Sequence, residues 1–69
     1  MRNTITLDGK KIAILQIEKE LDLKDIVEFS GLSKTTVSCA KSGKRCAPKS
    51  ADRIAAALGV DVTEIMKEA

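Results

Sequence analysis

An all-α fold, one compact domain of five short helices, is predicted by three features of this 69-residue sequence. Apolar residues recur at helical spacing along most of the chain. Capping residues and glycines divide that pattern into short segments. A composition that is 43% hydrophobic, with one Phe and no Trp, Tyr or His, supplies one small core and no second.

The elements follow in order. Thr4-Ile5-Thr6-Leu7 alternates polar and apolar residues and then meets Asp8-Gly9, which reads as a short extended arm or edge strand before a turn. Residues 1–8 are therefore expected to form an N-terminal arm and residues 9–69 the folded domain. A first helix is expected over about Lys10–Glu20, with Ile12 and Leu15 on its core face. Asp22 caps a second helix over Leu23–Ser30, and Asp25 adds favourable charge in its first turn. Gly31 ends that helix and Ser33 caps a third over Lys34–Lys41. A loop over Gly43–Ala47 leads to Pro48, placed where a first helical turn tolerates a missing amide. Ala51, Ile54, Ala55 and Leu58 form the stripe of a fourth helix, which Gly59 terminates. Asp61-Val62-Thr63-Glu64 has the form of a capping box and opens a fifth helix carrying Val62, Ile65 and Met66.

Several function classes are excluded by what the chain lacks. It has no apolar run near the ~18 residues of a membrane span, and its start has no secretory signal, so a cytoplasmic protein is expected. Cys39 and Cys46 match no metal-ligand or disulfide pattern; reduced thiols, no metal and no cofactor are expected. Without His, and with no nucleophile beside a recognisable base, the sequence does not read as an enzyme.

Charge carries more by segment than in total. The net charge is +2, but Gly31–Ser50 holds Lys34, Lys41, Lys44, Arg45 and Lys49 and no acidic residue, while the remaining 49 residues carry 7 basic and 10 acidic side chains. Such a segment makes a positive face suited to a polyanion. It coincides with two eight-residue helices joined by Ser30-Gly31-Leu32-Ser33, the sequence form of a helix-turn-helix, in which Ile26, Leu32, Val37 and Ala40 face inward.

Leu21–Ser38 resembles the lambda-repressor-like family, also called the Cro/C1-type or xenobiotic-response-element-type helix-turn-helix proteins. Ser42-Gly43-Lys44-Arg45 is similar to that family's Asn-Gly-Lys-Arg loop, and Ile54-Ala55-Ala56-Ala57-Leu58-Gly59-Val60-Asp61-Val62-Thr63-Glu64-Ile65 to its Ala-Leu-Gly-Val ending, so that roughly residues 9–66 are covered. The resemblance implies a double-stranded DNA operator as partner, with the third helix in the major groove. Ser33, Lys34, Thr35, Ser38, Cys39 and Ser42 then face outward; Lys34 suits guanine O6 or N7, and the hydroxyls discriminate weakly. Lys44 and Arg45, with Lys24 at the start of the second helix, are expected on phosphates. Cys39 reads as a thymine-methyl contact, a redox-sensitive thiol or, preferably, a small tolerated side chain.

The chain departs from the family at Leu23, where a phosphate-binding Gln is common, and at Val27, where a small Ala is usual. Ile14 and Ile17 lie off the core stripe, and their expected cover is either the Ile5/Leu7 arm or a second chain. The expected function is that of a small homodimeric transcriptional repressor of phage or mobile-element type, associated with the nucleoid through DNA. The alternative is an antitoxin or partner-binding subunit that uses the same fold to engage a protein.

Overall fold

The computed structural model describes residues 4–67. Four α-helices, α1 (Gly9–Lys19), α2 (Leu23–Ser30), α3 (Lys34–Lys41) and α4 (Pro48–Leu58), precede a single 3-10 turn at Val62–Glu64. Two short strands, β1 (Ile5–Thr6) and β2 (Arg45–Cys46), pair antiparallel with Ile5 opposite Cys46 and Thr6 opposite Arg45. Residues 1–3 of the expected arm and 68–69 of the expected domain lie outside the described residues.

The helices form where capping and periodicity place them. Asp8 caps α1, its Oδ1 accepting from the Lys10 N–H at 2.9 Å, and Asp25 Oδ2 accepts from the Asp22 N–H at 3.0 Å at the head of α2. Ile12 on α1, Ile26 on α2, Val37 and Ala40 on α3, and Ala51, Ile54, Ala55 and Leu58 on α4 meet in one core. Leu15 and Leu32 pack against it half-buried. Leu23 and Val27 pack there too, which is how an apolar residue is accommodated at each of the two departures from the family pattern.

The all-α, five-helix expectation needs two corrections. The segment over Gly43–Ala47 is not only loop, because β2 lies within it and pairs with β1, the strand that the arm forms at Ile5–Thr6. The expected fifth helix is one turn. Its capping is as expected, Glu64 Oε2 accepting from the Asp61 N–H at 3.3 Å. The chain beyond it is drawn into extended pairing: Leu7 bridges Met66, the Asp8 N–H donates to the Ile65 carbonyl at 2.7 Å, and the Lys67 N–H donates to the Thr6 carbonyl at 2.9 Å. A single helical turn is marginal by itself, so these bonds to a neighbouring segment prevail over its continuation. Leu7 and Ile65 both become fully buried.

α1 also starts and stops one residue earlier than expected. It stops because Glu20 adopts a left-handed conformation, φ 55°, with the Leu21 N–H donating to the Gln16 carbonyl at 2.8 Å and Gln16 Nε2 donating to the Leu21 carbonyl at 3.2 Å. A residue with a Cβ is strained there. Glu20→Gly should therefore stabilise the protein by about 1 kcal/mol, measured as a higher denaturant midpoint at unchanged m-value; a lower midpoint would show that the Glu20 side chain contributes more than the strain costs.

The described part of the arm, residues 4–8, does not cover the exposed isoleucines. With β1 held on β2 and Leu7 inside the core, Ile14 and Ile17 remain 55% and 78% exposed, and Phe29 on α2 is 64% exposed. Among the described residues no helix is long and apolar enough to cross a membrane.

Candidate nucleic-acid interface

The α2–α3 turn sets the geometry of the site. Gly31 takes φ 73° and its N–H donates to the Val27 carbonyl at 3.1 Å. Ser30, the one buried polar residue among those described, stitches the corner. Its hydroxyl donates to the Val27 carbonyl at 3.3 Å and accepts from the Leu32 N–H at 3.2 Å. The Ser30 carbonyl, which no further helical turn can satisfy, accepts from Arg53 Nη1 of α4 at 3.4 Å. A polar side chain buried this way is favourable because both its donor and its acceptor are used. Sequence reasoning misses Ser30 and Arg53; serine before glycine at a helix end signals the first, but nothing local signals an arginine 23 positions away.

On α3, Val37 and Ala40 are buried, while Ser33, Lys34, Thr35 and Ser38 are exposed and Cys39 is half-buried. Spacings of three and four residues set Lys34, Thr35, Ser38 and Ser42 along one outward strip. The hydroxyls differ in availability. Ser33 Oγ accepts from the Thr36 N–H at 3.2 Å as the helix cap and lies 2.8 Å from Thr36 Oγ1, and Ser42 Oγ donates to the Cys39 carbonyl at 2.8 Å. Those two groups are committed to the ends of α3, with Lys34, Thr35 and Ser38 exposed between them.

Lys24 and Lys34 border one shallow apolar hollow between the starts of α2 and α3, together with Asp22, Leu23 and Val27. With Leu at position 23, the floor between the two lysines is apolar. At the other end of α3, the Lys44 N–H donates to the Cys39 carbonyl at 3.1 Å and Arg45 lies in β2 opposite Thr6. Both side chains are exposed, on backbone that is fixed by a helix end and a strand. Lys10 and Lys67 join Lys41 around Ser42 and Gly43, a convergence of distant positions that no spacing in the sequence reveals.

The thiols take no part in a bond between themselves: Cys39 and Cys46 are free and both half-buried. Burial raises the Cys46 pKa above its ordinary value, which keeps it a protonated, poorly nucleophilic thiol at neutral pH. Among the described residues no group of three or more His, Cys, Asp or Glu side chains could hold a metal ion.

A family model described as the Cro/C1-type HTH DNA-binding domain matches residues 11–67, from the first turn of α1 through the bridge after the 3-10 turn. No curated protein and no solved structure matches the chain. The match spans most of the sequence and takes in the locked α2–α3 corner, the outward strip of α3 and the basic residues after it. The chain belongs to the Cro/C1-type helix-turn-helix family of DNA-binding domains, which are not enzymes.

Proposed function

We propose that the protein is a sequence-specific transcriptional repressor that binds a two-fold operator as a homodimer and acts by occupying the promoter in the cytoplasm. The observation that carries this reading is the exposed row Lys34, Thr35 and Ser38 on α3, bracketed by Lys24 at one end and by Lys44 and Arg45 at the other. The strip is short enough for a major groove, and its ends offer the cations that grip the flanking phosphates. Four to six phosphate contacts per dimer, from Lys24, Lys44 and Arg45 of each protomer, give a log–log salt slope of about −4 to −5.

Selection from a randomised duplex library tests this. An enriched palindrome is the expected outcome. Thr35→Ala and Ser38→Ala should then each shift preference among sites by about 1 kcal/mol without weakening the binding of all DNA alike. Salt-sensitive retention of every sequence, with no enrichment, would overturn the sequence-specific reading. The exposure of Ile14 and Ile17 favours a second reading, an antitoxin or partner-binding subunit that meets another protein on α1. A small toxin gene beside this one would support it.

A further inference from the structure

We infer that the outer face of α1 is the surface on which two copies of this chain pair, antiparallel, about a two-fold axis near Ile14. The inference deepens the dimeric reading above, and its test needs no DNA, so either can fail without the other.

Ile12 points from α1 into the core. Successive residues of an α-helix turn by about 100°, which sets Lys10, Ile14 and Ile17 on the side opposite Ile12. All three are exposed, and the two isoleucines are among the three exposed large apolar side chains of the described residues. Two isoleucines one helical turn apart, more than half exposed, form an apolar patch of the kind that marks an association surface. The segment expected to cover them is engaged elsewhere, in the pairing with β2 and the bridge to Met66.

The charges around the patch identify the occupant. Lys10 lies four residues before Ile14 and Glu18 four residues after it, both exposed. An antiparallel two-fold at Ile14 exchanges these two positions. It sets Lys10 of each copy beside Glu18 of the other, with the isoleucines of both between the two ion pairs. Lys19, the basic residue that would spoil the acidic end, is directed away: its ammonium lies beside Gly59 at the carboxyl end of α4, where a cation complements the helix dipole. A pattern that is antisymmetric in charge about its own apolar centre is what an isologous interface requires, since each residue must suit its symmetry mate. An unrelated protein partner imposes no such symmetry. The pairing uses no residue of α3, so Lys34, Thr35 and Ser38 remain open to DNA.

Sedimentation equilibrium of the full chain at tens of micromolar, reducing agent present and DNA absent, tests the proposal. The wild type should have twice the chain mass, and Ile17→Glu should be monomeric while keeping the wild-type circular dichroism spectrum, since Ile17 contributes little to the core. Lys10→Glu and Glu18→Lys should each weaken self-association at least tenfold, and the double variant Lys10→Glu/Glu18→Lys should recover most of that loss, because it restores opposite charges across the axis. A wild type that stays monomeric throughout overturns the inference. So does a dimer indifferent to Ile17→Glu, which would place the interface elsewhere. Failure of the charge-swapped double variant to recover, with both single variants impaired and folded, would overturn the antiparallel register.

Discussion

Gly9→Ala will lower the melting temperature by about 10–20 °C, which is the largest effect expected from removing no interaction at all. α1 begins against the end of α3, and a Cβ on Gly9 would run into the Lys41 carbonyl oxygen. That atom is backbone at the end of a helix, so it cannot swing aside as a side chain would. Relief requires α1 to move away from α3, disturbing the packing of Ile12 in the core, and overpacking of this kind costs about 2–3 kcal/mol. A domain this small has total stability of only about 3–5 kcal/mol, and each kcal/mol corresponds to about 4–8 °C at this size. Thermal unfolding followed by circular dichroism checks it. A wild-type melting curve for Gly9→Ala would show that α1 and α3 do not approach closely there.

The second large effect concerns binding. The double substitution Lys44→Ala/Arg45→Ala should weaken binding to every duplex by a similar factor and flatten the salt dependence, by about one in the log–log slope for each phosphate left without its cation. The physical reason is the stiffness of their backbone. Lys44 follows the α3 cap and Arg45 sits in a ladder with Thr6, so little conformational freedom is lost when their side chains meet phosphates. Titrations at three or more salt concentrations, on a selected site and on an unrelated duplex, measure both quantities. Loss of affinity confined to the selected site would make these residues readers of sequence instead of positioning groups.

The helical part of the fold is legible in the sequence because its signals are local. Asp22, Gly31, Ser33, Pro48 and Gly59 mark boundaries within a residue or two of themselves, and the bounds of α2, α3 and α4 follow from them. The parts that are not legible depend on pairing between distant segments. Arg45-Cys46 has no strand signature by itself and becomes one only because Ile5-Thr6 lies beside it. The same cause shortens the expected fifth helix, since Asp61 to Glu64 reads as a sound helix start until Leu7 engages Met66. At the candidate interface the outward row of α3 follows from periodicity. That Ser33 and Ser42 spend their hydroxyls on the helix ends depends on rotamers, which a sequence does not specify.

The pairing of β1 with β2 also orders events in time. Ile5 finds Cys46 across α1 to α3, and Leu7 finds Met66 across all four helices. Pairings that close such long loops incur their entropic cost before any local reward, so they form after the helices have condensed. The backbone that carries Arg45 is therefore the last to set, so its stiffness is a property of the finished fold alone. If Arg45 holds a phosphate as proposed, a chain with its helices docked but this ladder open would present α3 with that grip unformed, and firm attachment to DNA would report that folding is complete.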